Sequence, residues 1–84
     1  MMGYPGPNWS LHAHIRLTYG EREVLRHIAG GLSNQQIAKV MGVGVHAVEG
    51  HVNNIYSKLE ITGERGPNRV QAANWYNARR FDPV

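Results

Sequence analysis

The chain has no cysteine, which excludes disulfides and thiolate metal sites and makes a reducing cytoplasm the default compartment. No apolar run approaches the roughly 18 residues needed to cross a bilayer. The N-terminus lacks the basic start and hydrophobic stretch of a secretory signal. A clustered acid–base set is missing too, as is a glycine loop that opens a helix after a strand to cradle phosphate. The glycines of "GVGVHAVEG" follow a helical pattern, so they fail that context. These absences argue against an enzyme, a bound cofactor and a membrane partner. At 84 residues the chain makes one domain. A domain this short buries only about 60% of the surface its unfolded form exposes, so support from a second copy is in keeping with its size.

Net charge is +3 with a pI near 9.7, which permits a polyanionic partner without demanding one. Positive charge is scarce in the middle of the chain. Between residues 33 and 61, Lys39 and Lys58 are cancelled by Glu49 and Glu60. The basic surplus lies outside, with Arg16, Arg22 and Arg26 on one side and Arg65, Arg69, Arg79 and Arg80 on the other.

"MMGYPGPNWS" is rich in Gly and Pro and reads as a flexible arm over residues 1–16. Within and after it, "LHAHIRL" alternates apolar and polar residues, the pattern of an extended strap, with a β-ribbon shared with a second subunit as the sharper alternative. His12 and His14 share one side of that segment. With no carboxylate or third histidine at a partnering spacing, they read as solvated side chains.

From residue 17 to 81 the pattern is helical. Thr18 and Glu21 have the spacing of a capping box, Val24, Leu25 and Ile28 form a buried stripe, and Gly30–Gly31 supplies left-handed backbone for the stop. Ser33 and Gln36 repeat the box, followed by Ile37, Ala38 and Met41 and a stop at Gly42. A third helix covers about residues 46–60, burying Val45, Val48, Val52, Ile55 and Leu59. After the break "TGERGPN", Asn68 is placed to cap a last helix, "RVQAANWYNARR". The result is an all-α, four-helix domain whose two middle helices are joined by a glycine-containing turn. That is the helix-turn-helix pattern, whose second member lies in the DNA major groove.

"LTYGEREVLRHIAGGLSNQQIAKVMGVGVHAVEGHVNNIYSKLEI" resembles the C-terminal DNA-binding domain of LuxR/GerE-type bacterial regulators, also found in NarL-type response regulators. The resemblance rests on Leu17–Thr18, Glu21, Glu23–Val24–Leu25, Gly31–Leu32–Ser33–Asn34, Ile37–Ala38, Val48, His51–Val52, Ile55 and Lys58–Leu59, and continues in "RVQAANW". It implies a third helix in the major groove and a fourth used for dimerisation on a two-fold site. With only a short arm ahead of the domain, the chain reads as a standalone regulator. Three departures stand out: Gly44 and His46 where the family often has Ser or Thr, Glu49–Gly50 where it usually has Lys, and a five-residue insertion, "GERGP", ahead of the last helix.

Carried onto this chain, the resemblance makes His46, Glu49, Gly50 and Asn53 base-facing, with Ser33, Asn34, Lys39, Asn54, Ser57 and Lys58 holding phosphates. Val70, Asn74, Trp75, Ala78 and Phe81 form the homodimer face. Two readings of Glu49 stand open. As a reader it accepts from a cytosine amino group, with Asn53 pairing to adenine one turn on. As a repellent it weakens DNA binding and turns the face toward a protein of the transcription machinery. His51 reads as packed or bonded to backbone, and His27 as partly exposed.

Overall fold

The computed structural model describes residues 16–64 and 66–79, and among these residues it is all-α. Four helices follow in order: α1 (Tyr19–Ala29), α2 (Asn34–Met41), α3 (Val45–Lys58) and α4 (Asn68–Arg79). The alternating segment up to residue 15, with His12 and His14, and Phe81 at the other end, lie outside the described residues.

Both capping boxes form. The Thr18 side chain accepts from the Glu21 N–H, and Glu21 Oε1 accepts from the Thr18 N–H at 3.0 Å. Ser33 and Gln36 exchange the same pair of bonds at the start of α2. Each box satisfies two backbone donors that the first turn leaves without a helical partner. α2 stops at Gly42 in the left-handed region, φ 71°. At the end of α1 only Gly31 is left-handed, φ 91°, while Gly30 stays right-handed at φ −81°. The expectation for the Gly30–Gly31 pair is thus corrected to one residue.

The cap expected from Asn68 does not form. Asn68 is itself the first helical residue, and the Gln71 N–H donates to the Pro67 carbonyl at 3.1 Å. Proline suits this boundary because its fixed φ is already helical and it has no N–H to orphan. The Asn68 Oδ1 atom is buried without a hydrogen-bond partner. Between α3 and α4 the connection turns through left-handed backbone at Glu60, Gly63 and Gly66.

One core unites the helices: Val24, Leu25 and Ile28 from α1, Ile37 and Ala38 from α2, Val48, Val52 and Ile55 from α3, and Ala72 from α4. Burying each of the larger aliphatic side chains contributes about 1.5–3 kcal/mol before chain entropy is counted. Met41, Val45 and Leu59, expected inside, are only partly buried and pack on its edge with Leu32, Trp75 and Tyr76. α1 lies at the centre, packed most extensively on α4 and then on α3, while α2 packs mainly on α3. This arrangement holds α3 by one face and leaves the opposite face in solvent.

Candidate nucleic-acid interface

On α3, Val48 and Ile55 are fully buried and Val52 nearly so. Helical geometry then sends positions 46, 49, 50 and 53, spaced i, i+3, i+4, i+7, along a strip away from that stripe. His46, Glu49, Gly50 and Asn53 are all exposed, as the sequence pattern requires. His46 Nδ1 lies 3.2 Å from Glu49 Oε1 one turn on, both in water, with side-chain exposures of 96% and 52%. At Gly50 a side chain would meet no protein atom within 4 Å. Its lack of one is therefore not required by packing within the chain.

α3 begins differently from α1 and α2. Gly44 occupies the cap in extended backbone, φ −75°, ψ 155°, and no side chain bonds to the free N–H groups of the first turn. The helix start thus presents bare donors, which suit an anionic oxygen.

The residues expected to hold phosphates divide. Lys39, Asn54 and Ser57 are exposed. The Ser33 hydroxyl is engaged in its own capping box. Asn34 is half-buried, and its Oδ1 accepts from Arg69 Nη1 at 2.9 Å, while Arg69 Nη2 donates to the Leu32 carbonyl at 2.7 Å. Arg69 thereby ties the first turn of α4 to the junction between α1 and α2. No signal in the sequence marked it for that role, since its partners stand 35 and 37 residues away.

Lys58 departs furthest from expectation. Its ammonium donates to Glu21 Oε1 at 2.7 Å and to the Arg16 carbonyl at 3.0 Å. Two of its three donors are therefore used within the protein, and its charge is balanced by a buried carboxylate. Burial raises the Glu21 pKa, but the Lys58 hydrogen bond, the Thr18 N–H and the Lys58 charge outweigh it, aided by the Asn54 amide. The carboxyl ends below the ordinary glutamate range. The ring of His51, half-buried, packs close to Gly20, where an added Cβ would meet it at 3.0 Å.

On α4, Val70, Asn74 and Ala78 follow one another at i, i+4, i+8 and are exposed. Trp75 does not share their strip. It packs against the core, with the Arg79 guanidinium 4.6 Å above its ring and Arg79 Nη1 bonded to its carbonyl.

Among the described residues, no group of three or more His, Cys, Asp and Glu side chains is placed to hold a metal ion. No helix there is long and apolar enough to cross a membrane. Two paired helices, a tight turn and an exposed outer strip define a helix-turn-helix module. The family model for "Bacterial regulatory proteins, luxR family" matches residues 16–76. The chain belongs to that family, which is regulatory and not enzymatic.

Its relatives agree. The chain is 40% identical over 65 residues to the "Probable transcriptional regulator ycf29" of Guillardia theta, covering 77% of this chain and 29% of that protein. It is 49% identical over 45 residues to the response regulator protein VraR of Staphylococcus aureus, covering 54% and 22%. To the CsgBAC operon transcriptional regulatory protein of Escherichia coli it is 33% identical over 61 residues, covering 73% and 26%. The chain thus spans less than a third of the length of each.

Proposed function

We propose that this chain binds duplex DNA in a sequence-specific manner as a transcriptional regulator in the cytoplasm, with α3 in the major groove. The observation that carries the reading is the exposed strip of His46, Glu49, Gly50 and Asn53 on a helix whose other face buries Val48, Val52 and Ile55 in the core, in a domain of the luxR family. Asn53 pairs bidentately with adenine through N6 and N7. Lys39, Asn54 and Ser57 hold phosphates, and Asn34, steadied by Arg69, adds its amide nitrogen. The chain binds as a homodimer through the α4 strip of Val70, Asn74 and Ala78. Val70 is 52% exposed there, an apolar side chain only half covered in the monomer.

A protein partner in the transcription machinery is the second reading. It is favoured by the internal balancing of Lys58, which leaves the outer strip of α3 with the Glu49 carboxylate as its formal charge.

A salt titration on a pool of random duplex DNA, with selection and sequencing of the retained molecules, tests both. Enrichment of a two-fold symmetric motif is expected, with affinity falling as salt rises by about 0.9 log units per log unit of salt for each phosphate engaged. Asn53→Ala should erase the preference at one base pair per half-site and leave that slope almost unchanged. No retention even at low salt would sink the DNA reading and direct attention to a protein bound on the same strip.

A further inference from the structure

Glu49 is the part of α3 that DNA binding as such does not explain. A carboxylate facing a polyanion reduces non-specific affinity, and a neutral or basic residue would serve the phosphates better. The fold does not need it either, because an exposed pair such as His46–Glu49 contributes little to stability in water. What the pair does is fix one oxygen. With the imidazole proton on Nδ1, His46 donates to Glu49 Oε1 at 3.2 Å. The second carboxylate oxygen has no such partner among the described residues and stays available on the outer strip.

We infer that His46 positions Glu49 so that this second oxygen accepts a hydrogen bond from the N4 amino group of a cytosine in the major groove. The inference rests on the reading of α3 as a groove-binding helix and names the base that its first turns select. The selection follows from acceptor-only chemistry. Guanine presents N7 and O6 and thymine presents O4, all acceptors that repel a carboxylate. Adenine offers a donor at N6 beside an acceptor at N7, so a carboxylate gains one bond and meets one repulsion. Cytosine offers N4–H alone. Inside the groove, where water is displaced, both the His46 contact and this discrimination are strengthened relative to solvent. Glu49 is then a second specificity determinant of the strip beside Asn53, and His46 is its positioning residue.

The test uses the full chain and the same random duplex pool, comparing wild type with Glu49→Gln, His46→Ala and His46→Gln. Wild type should enrich cytosine at one position per half-site. Glu49→Gln should bind unselected duplex more tightly, yet lose cytosine preference by about tenfold and move toward adenine, which an amide pairs bidentately. His46→Ala should weaken the cytosine preference several-fold. His46→Gln, whose amide nitrogen can donate to Glu49, should restore most of it, an outcome that a merely structural role would not produce. If Glu49→Gln raises affinity with base preference unaltered, Glu49 is a repellent and the inference falls while DNA binding stands. An intact cytosine preference in His46→Ala removes His46 from the site. If wild type retains no DNA, the groove-binding reading fails and takes the inference with it.

Discussion

At its C-terminal end α3 places Lys58 2.7 Å from Glu21, a carboxylate only 4% exposed. At its N-terminal end the same helix sets His46 beside Glu49 at 3.2 Å, with the imidazole side chain 96% exposed. The pairs are chemically alike and physically opposite. The inner one has its carboxylate buried and its ammonium at the surface, bridges residues 37 apart, and is completed by the Thr18 capping box and the Arg16 carbonyl. The outer one joins adjacent turns of one helix in full solvent, where such contacts contribute a few tenths of a kcal/mol at most. One end of α3 uses charge to seat the helix, and the other holds charge where only a partner can exploit it.

Breaking the inner pair is the larger perturbation. Lys58→Met keeps the aliphatic stem but leaves Glu21 buried without its cation, a defect expected to cost about 1–2 kcal/mol because the lysine end of the pair is already partly in water. In urea melts the midpoint should fall with the slope unchanged. The pH dependence should change as well. Because the Glu21 pKa is lowered in the folded chain, its contribution is fully present above the ordinary glutamate range and is lost as pH falls through the lowered value. In Lys58→Met burial acts with less opposition, so the carboxyl rises and stability begins to fall at a higher pH. A variant that melts like wild type across that range would show that the pair is not what seats α3.

That pair also marks where the sequence stopped being legible. Helix number, both capping boxes, the Gly42 stop and the fully buried stripe of α3 are local patterns, with causes that lie within four residues of one another. The exposure of His46, Glu49, Gly50 and Asn53 follows from the same stripe, so the candidate strip was readable. Lys58 was not. It sits in the last turn of α3 among polar residues, and nothing local distinguishes a lysine facing phosphate from one facing a carboxylate on another helix. Arg69 was hidden for the same reason, since its partners belong to the α1–α2 junction. Asn68 was misplaced by one residue: the helix starts from Pro67, whose backbone angle is preset and whose carbonyl takes the Gln71 N–H.

Gly50 sharpens the comparison from the outer side. A glycine inside a helix costs about 0.5–1 kcal/mol relative to alanine, and here a Cβ would meet nothing within 4 Å. Gly50→Ala should therefore stabilise the free domain and raise its melting temperature by about 3–6 °C. If the strip approaches base edges closely, the added methyl should weaken operator binding by roughly tenfold, read in a duplex titration at fixed salt. Stability and affinity would then move in opposite directions, which a change at a purely structural glycine does not produce. Unchanged affinity would mean that α3 does not sit close enough at this position for a methyl to matter.

The smallest expected effect lies at Gly44, where α3 begins without the side-chain cap that Thr18 and Ser33 give the two preceding helices. Its backbone is already extended and the space around a Cβ is open, so Gly44→Ser should let a hydroxyl accept a first-turn N–H without strain. The gain over glycine is a few tenths of a kcal/mol, a rise of about 1–2 °C in melting temperature. Its effect on DNA is the informative part. A serine cap takes one of the bare donors but leaves the strip from His46 to Asn53 untouched, so affinity should change by less than about threefold. If affinity falls as far as in Gly50→Ala, those bare N–H groups themselves receive a phosphate. The missing cap would then belong to the binding surface as much as Gly50 does, with α3 held to the core at its Lys58 end and to DNA at the other.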